Sequence, residues 1–74
     1  MGRDFEQVRA ALAHNIKNLR RQHRLSQEAL ALSADVDRTY VSQIERGIGN
    51  PSLLVLCKLG NTLKVDLQDL LQQP

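Results

Sequence analysis

Between residues 38 and 47 the chain carries polar and basic side chains at spacings of three and four, as one face of a helix would hold them. At about 100° per residue, that face holds Thr39, Ser42, Gln43 and Arg46. Glutamine can form two hydrogen bonds with adenine, arginine binds guanine, and hydroxyl groups reach bases or phosphates. A helix that presents this set is suited to the major groove of double-stranded DNA. A merely solvated surface is the alternative, but it would favour Lys and Glu, which are absent from these positions.

The opposite face of the same helix is apolar except for one carboxylate. Val41, Ile44 and Ile48 fall on it by angle, and Glu45 lies among them. A carboxylate on a packed face is costly unless it is paired. Arg20 flanks the apolar stripe of the first helix and is the predicted partner, so we interpret it as mainly structural rather than as a DNA contact.

A second short helix and a tight turn come directly before this helix and would complete a helix-turn-helix over about residues 26–46. Ser26 and Asp37 are favourable N-caps for the two helices. Each cap follows an apolar residue and has another apolar residue four positions after it. Gln27 opens the earlier helix, where free N–H groups and the positive end of the helix dipole suit a phosphate oxygen. We therefore interpret Gln27 as a phosphate contact.

The remaining segments also have helical patterns. A stripe of apolar residues predicts a first helix over about residues 4–22: Phe5, Val8, Leu12, Ile16 and Leu19. Ser52 and Asp66 are N-caps for a fourth and a fifth helix, and Gly47 can end the third. No strand pattern, repeat or long linker is present in the sequence. The sequence predicts an all-α protein, a compact five-helix bundle that forms a single domain over residues 1–74.

The composition is that of an ordinary globular domain with a small positive charge. The 74 residues are 42% hydrophobic and 24% charged, with a formal net charge of +2 at pH 7. Phe5 and Tyr40 are the only aromatic residues, so the core must be aliphatic, and so thin a core often needs oligomerisation. Between Arg9 and Glu28 every charge is positive. These charges either stabilise a helix end or face phosphate, and Lys17 is included among the predicted phosphate contacts.

Several classes of function lack the residues they need. The single Cys57 lies in an apolar helical stretch, which favours inert core packing, and no Cys or His residues have metal-ligand spacing. Without a nucleophile–histidine constellation or a glycine-rich phosphate loop, we expect no enzyme, no cofactor and no metal. No apolar run reaches membrane-spanning length and no signal peptide is recognisable. We expect a cytoplasmic, nucleoid-associated protein without a membrane or small-molecule partner.

Four runs of sequence together resemble the phage repressor and Cro-like helix-turn-helix family, also called the xenobiotic-response-element type. The runs are IKNLRRQHRLSQEALA, DRTYVSQIERG, NPSLLVLCKLGNTL and VDLQDLL, and the likeness covers about residues 12–71. The second run is particularly similar to restriction–modification controller proteins, which are similarly short.

The resemblance implies a five-helix, lambda-repressor-like fold that acts as a homodimer on a two-fold symmetric operator. Carried over by position, it implies base contacts from Arg38, Thr39, Ser42 and Gln43. It implies phosphate contacts from Gln27, Arg46 and the loop at Asn50. It also implies the ion pair between Arg20 and Glu45 that the helix angles predict.

The chain departs from the family pattern at three places. Ile48 stands where the family is often basic, and Gly60 stands where a small helix former is usual, at a cost of roughly 0.5–1 kcal/mol unless close packing needs it. Leu54 and Val55 are apolar where the family is commonly polar. We interpret this apolar excess as a dimer surface shared with the fifth helix, with extra core as the alternative. The predicted surface comprises Leu54, Val55, Leu67 and Leu71.

Taken together, these observations predict a sequence-specific transcriptional regulator with no enzymatic step. Two alternatives stay open. One is the antitoxin of a toxin–antitoxin pair, which would also bind its operator. The other is a protein-interaction adaptor that does not bind DNA. The operator sequence, the regulated gene and the direction of the effect do not follow from the residues.

Overall fold

Five α-helices make up most of the chain, and the computed structural model describes residues 2–74. The helices are α1 (Phe5–Gln22), α2 (Gln27–Ala34), α3 (Arg38–Glu45), α4 (Leu53–Leu63) and α5 (Leu67–Leu71). Residues 2–74 contain no strand, so the prediction of an all-α, five-helix fold is confirmed. Within the same range, no helix combines the length and the apolar character that crossing a membrane requires.

The helices begin where the capping residues of the sequence predict. Three side-chain oxygens accept hydrogen bonds from N–H groups of the first turn: Ser26 from Ala29 at 3.0 Å, Asp37 from Thr39 at 2.8 Å, and Ser52 from Val55 at 3.1 Å. At the start of α5, the carboxylate of Asp69 accepts from the N–H of Asp66 at 3.0 Å. These bonds satisfy N–H groups that would otherwise lack a partner within the helix.

Four helices end at a residue with left-handed backbone geometry. After α3 this residue is Gly47, with φ of 72°, as its lack of a side chain predicts. The other three left-handed residues carry side chains: Arg24 (φ 58°), Asp35 (φ 57°) and Lys64 (φ 61°). Such a residue turns the chain sharply, and after two of these turns the following helix packs on the one before it: α3 on α2 and α5 on α4.

The core lies where α1, α2 and α3 meet and extends through α4 to α5. Helix α3 packs against α1 and α2, α4 packs against α2 and α5, and α5 packs against α1. Its fully buried large side chains all come from predicted helices: Ile16, Leu30, Val41, Ile44, Leu59, Leu63 and Leu70. Because α3 contacts two helices on one side, its other side is left at the surface.

Three apolar residues do not take the positions that the sequence pattern predicts. Phe5 is 52% exposed, since it lies in the first turn of α1, and the guanidinium carbon of Arg9 lies 4.7 Å from the centroid of its ring. Ile48 is 41% exposed because α3 ends at Glu45, so the angular step of a helix no longer applies there. Cys57 is exposed on the outer side of α4, so the prediction of core packing for this residue is wrong.

The structure gives a packing reason for Gly60. A Cβ atom at this position would lie 3.0 Å from the carbonyl oxygen of Val65 and 3.6 Å from Cδ1 of Leu70. The carbonyl belongs to the backbone between α4 and α5 and cannot rotate away as a side chain would. The glycine thus permits the close approach of α5 to α4, and its cost in helix propensity is offset by that packing.

Candidate DNA interface

Helix α3 is divided into a buried face and an accessible face. Val41 and Ile44 are buried, at 0% and 2% exposure. On the other side, Thr39 and Arg46 are exposed. Ser42 and Gln43 are half-buried and lie between these extremes. The structure thus brings the predicted outward residues together on one accessible surface of a single helix.

The start of α3 adds a further basic group to this surface. Arg38 is the first residue of the helix and is exposed. The preceding Asp37 caps the helix, and the hydrogen bond from the N–H of Thr39 holds the pKa of its carboxyl below the ordinary value. Because the cap fixes the first turn, Arg38 and Thr39 are displayed from a defined backbone.

Beneath the accessible face, Arg20 of α1 binds Glu45 of α3 through two hydrogen bonds. Nε of Arg20 lies 2.6 Å from Oε2 of Glu45, and Nη2 lies 3.0 Å from Oε1. The third guanidinium nitrogen, Nη1, donates to the carbonyl oxygen of Leu25 at 2.7 Å. Both side chains are largely buried, at 13% and 2% exposure. The pair joins α3 to α1 and to the start of the turn that leads into α2.

Both members of the pair are held in their charged forms. Burial raises the pKa of Glu45, but hydrogen bonds from Arg20 and Gln27, together with the charges of Arg20 and Lys17, outweigh it, and the pKa falls below its ordinary value. The hydrogen bond to Glu45 raises the pKa of Arg20. The carboxylate at the base of α3 is therefore ionised at neutral pH and fully matched by cationic and amide donors.

Gln27 takes part in this buried network. Its Nε2 donates to Oε1 of Glu45 at 3.1 Å, and the side chain is half-buried. A carboxamide nitrogen carries two N–H donors, so one donor is used by Glu45. A phosphate contact from Gln27, which remains a prediction, would be made by the other donor or by the backbone at the start of α2.

Lys17 lies next to the same carboxylate. It is half-buried and lines a basic cleft of about 300 Å³ together with His14, Asn18, Arg21 and Glu45. The position of Lys17 between the buried acid and the outer surface is compatible with a phosphate contact, which also remains a prediction.

The loop after α3 carries Asn50 at an exposed position. Gly47 and Gly49 both have positive φ, which turns the chain away from the helix axis. The carbonyl oxygen of Gly49 accepts a hydrogen bond of 3.2 Å from Nη1 of Arg9 on α1. The loop that presents Asn50 is thus tied to the first helix.

The sequence pattern did not single out Tyr40. This side chain is 45% exposed on the flank of α3, one turn before Gln43 and next to the loop that holds Asn50. Its spacing of three from Gln43 was the available signal. An aromatic ring with a hydroxyl group at this place adds both apolar surface and a hydrogen-bonding group to the accessible face.

The predicted dimer residues differ in exposure. Leu54 on α4 is 64% exposed, and its neighbour Leu53 is 68% exposed. Val55, Leu67 and Leu71 are only partly buried and pack against the core. Of the four predicted residues, Leu54 is therefore the most exposed. Cys57, one helical turn after Leu53 and Leu54, is also exposed.

Comparison with known proteins gives a family and several relatives. The helix-turn-helix family model HTH_3 matches residues 16–70. The control protein C.BamHI of Bacillus amyloliquefaciens is 38% identical over 65 residues, which are 86% of this chain and 80% of that protein.

Solved structures share the fold. The structure of a hypothetical transcription factor from Neisseria is 39% identical, with a TM-score of 0.87, over 100% of this chain and 86% of that one. The restriction-modification controller protein C.Esp1396I, as a tetramer in complex with its natural 35-base-pair operator, is 27% identical, with a TM-score of 0.73, over 95% of this chain and 100% of that one. Since the family model matches the chain from the last two turns of α1 into α5 and the sequence motifs agree with it, this chain belongs to the xenobiotic-response-element type of the helix-turn-helix family.

Proposed function

We propose that this protein is a sequence-specific DNA-binding transcriptional regulator that reads the major groove of a two-fold symmetric operator as a homodimer. The observation that carries the proposal is the accessible face of α3, which is held in a fixed rotation by the buried pair of Arg20 and Glu45. A helix with one buried and one polar accessible face can enter the groove without losing its own packing.

The contacts divide into two kinds. Base edges would be read by Arg38, Thr39, Ser42 and Gln43 from α3. Phosphates would be bound by Gln27, Arg46, Asn50 and Lys17, which lie on the elements around α3. Phosphate contacts set position and contribute salt-dependent affinity, whereas base contacts provide discrimination between sequences.

A homodimer is supported by the apolar surface at the start of α4 and by the relatives. The controller protein C.Esp1396I forms a tetramer in complex with its operator. Two copies of α3 in a symmetric dimer would contact half-sites about one helical turn apart, roughly 34 Å. Burial of Leu54 and its neighbours against a second copy would add stability to a small core.

The proposed regulator catalyses no reaction. It binds its operator in the cytoplasm, at the nucleoid. Its operator occupancy would be set by protein concentration and dimerisation. Similarity to control and controller proteins supports a role of that kind.

The proposal can be tested by selection of DNA from a random library on the purified full chain. The affinity for the enriched duplex is then compared with that for a scrambled duplex by fluorescence anisotropy at two salt concentrations. We expect the enriched duplex to bind at least about 10³-fold more tightly and both affinities to fall steeply with salt. Equal affinity for the two duplexes, or failure to enrich any sequence, would contradict the proposal.

A further inference from the structure

A small recess lies beside the accessible face of α3, between that helix and the loop that follows it. It has a volume of about 40 Å³. Its walls come from three helix residues and three loop residues: Tyr40, Gln43, Ile44, Ile48, Asn50 and Pro51. The helix residues follow one another at steps of three and one, so the recess runs along the flank of α3 next to Gln43.

Ile48 lines this recess together with the apolar residues Ile44 and Pro51, and it is the most exposed of the three. The side chain is 41% exposed, whereas the core residue Ile44 is 2% exposed. The backbone holds Ile48 in place, since its N–H donates to the carbonyl oxygen of Gln43 at 3.0 Å. The left-handed Gly47 directs the chain back toward the helix at this point. Ile48 is therefore fixed next to Gln43 and open to an incoming group.

Gln43 forms the polar rim. A Cβ atom at Gly49 would lie 3.4 Å from Oε1 of Gln43 and 3.7 Å from its Cβ, so the glycine backbone lies directly along this side chain. The carboxamide oxygen of Gln43 therefore lies beside the loop, where this side chain lines the recess. A carboxamide and an apolar wall thus stand side by side.

The size of the recess limits its occupant to a small group, and its three apolar lining residues offer contacts to a methyl group. A space of about 10–15 Å³ holds one water-sized group, so this recess accepts a methyl group but not a base or a sugar. In the major groove the C5-methyl of thymine is the apolar group that base pairs present, and adenine is the base that glutamine binds through two hydrogen bonds. A·T pairs therefore offer the groups that match both parts of this site.

We propose that the recess between α3 and the following loop binds the C5-methyl group of a thymine, with Ile48 as its exposed apolar side chain and Gln43 directed to the adenine of the same base pair. This inference rests on the proposed function and makes Ile48 a specificity-determining residue. Isoleucine cannot replace the phosphate contact of a basic residue, but it gives the chain a contact that reads sequence.

The test uses the duplex enriched from the random library. Each thymine is replaced in turn, symmetrically in both half-sites, by deoxyuridine, which lacks only the methyl group. We expect one position at which the wild-type protein loses affinity by about fourfold per half-site, the factor equivalent to about 0.8 kcal/mol for one buried methyl group. Ile48→Ala should abolish this sensitivity at that position and leave other positions unchanged.

A matched control is Leu32→Ala, which removes an apolar side chain that is 83% exposed on α2, away from the recess. This variant should keep the full response to deoxyuridine. Thermal unfolding of both variants is measured alongside, and because Ile48 is partly exposed we expect Ile48→Ala to stay folded. If deoxyuridine still weakens Ile48→Ala at the same position as the wild type, the methyl group contacts another residue and the inference is wrong.

5-Methylcytosine carries a methyl group at the same ring position as thymine, so a third duplex distinguishes recognition of thymine from recognition of the methyl group alone. This duplex has 5-methylcytosine, paired with guanine, at the sensitive position. We expect it to bind more weakly than the thymine duplex, because Gln43 loses its adenine. Equal binding of the two duplexes would contradict the assignment to thymine. A wild-type protein that discriminates the enriched duplex but responds to no deoxyuridine refutes this inference alone, whereas loss of all discrimination refutes the proposed function.

Discussion

Arg20 and Glu45, 25 positions apart in the chain, are joined by two hydrogen bonds of 2.6 and 3.0 Å between the guanidinium and the carboxylate. They belong to α1 and α3, and the carboxylate is 2% exposed. Since Gln43 lies two residues before Glu45 on the same helix, the rotation that buries Glu45 also directs Gln43 outward. The pair therefore links the packing of the core to the orientation of the accessible face.

Loss of one partner of this pair should be strongly destabilising. Arg20→Met leaves the Glu45 carboxylate buried without its main donor, and we expect the free energy of unfolding to fall by about 3 kcal/mol. Urea denaturation monitored by circular dichroism measures the change. Arg21→Met, at the exposed neighbouring position, is the matched control and should change stability by less than about 0.5 kcal/mol.

The double variant Arg20→Met with Glu45→Leu should recover much of the lost stability, since an apolar pair has no charge to desolvate. If Arg20→Met were as stable as the wild type, the ion pair would not be what holds α3 against α1.

The same carboxylate should make stability depend on pH in the acid range. Burial raises the pKa of Glu45, but the hydrogen bonds from Arg20 and Gln27 outweigh it, so the folded-state pKa lies below 4.5. A carboxyl with a lowered pKa contributes stability that is present above its ordinary pKa and is lost as the pH falls through the folded-state value. The advantage of wild type over Glu45→Gln should be largest above pH 4.5 and should shrink on further acidification.

Denaturation curves at a series of pH values measure this advantage. The hydrogen bond from the N–H of Thr39 also lowers the pKa of Asp37, so Asp37 is a second carboxyl for comparison, and Asp37→Asn removes it. A difference between wild type and Glu45→Gln that stays constant from neutral to acid pH would mean that Glu45 does not titrate with folding.

Lys64 offers a stabilising substitution. It ends α4 with φ of 61°, a conformation that costs a residue with a side chain about 1–2 kcal/mol and glycine very little. Glycine also gains freedom in the unfolded chain, so we expect Lys64→Gly to raise the free energy of unfolding by a net of about 0.5–1 kcal/mol. Urea denaturation provides the measurement.

The reverse change at Gly47 is the matched comparison. A Cβ at this residue would meet no atom within 4 Å, so Gly47→Ala tests the cost of the left-handed backbone alone. We expect a loss of about 1 kcal/mol. If Lys64→Gly lowered the free energy of unfolding, or if Gly47→Ala left it unchanged, the left-handed backbone at these helix ends would not determine their stability.

The start of α4 should lie in the dimer interface. A charge at Leu54, which is 64% exposed, should leave the monomer folded but oppose burial of this surface against a second copy. In sedimentation velocity experiments, the sedimentation coefficient of Leu54→Asp should therefore shift toward that of the monomer. Leu32→Asp, at an 83% exposed leucine of α2, should sediment as the wild type does. An unchanged dimer for Leu54→Asp would remove this surface from the interface.

The sequence predicts helix starts well because capping depends on the type of one residue. Ser26, Asp37 and Ser52 each bind the N–H groups of the following turn, and this chemistry is visible without any knowledge of the fold. The burial of Val41 and Glu45 on one side of α3 is likewise predictable from angles within a helix. Local geometry therefore accounts for both the helix-turn-helix and its accessible face.

Other features depend on contacts between distant segments and could not be predicted in this way. Ile48 follows the end of α3, where the chain leaves the helix, so its angle had no meaning there. Arg24 and Lys64 adopt left-handed geometry without the glycine that usually signals it. The exposure of Cys57 depends on which side of a largely apolar helix meets the core, and the direction of Gln27 depends on the place of Glu45 in the folded chain.

Gln43, on the accessible face of α3, should discriminate between base sequences. The measurement is the binding of Gln43→Ala to the enriched and to the scrambled duplex. We predict that affinity for the enriched duplex falls about 5- to 150-fold, equivalent to about 1–3 kcal/mol, while affinity for the scrambled duplex does not change.

Arg46→Ala is the comparison, because a lost phosphate contact should weaken both duplexes alike and reduce the salt slope by about one. We expect Gln43→Ala to lose affinity for the enriched duplex selectively, whereas Arg46→Ala loses affinity for both duplexes to the same extent. If Gln43→Ala weakened binding to both duplexes equally, Gln43 would not read bases.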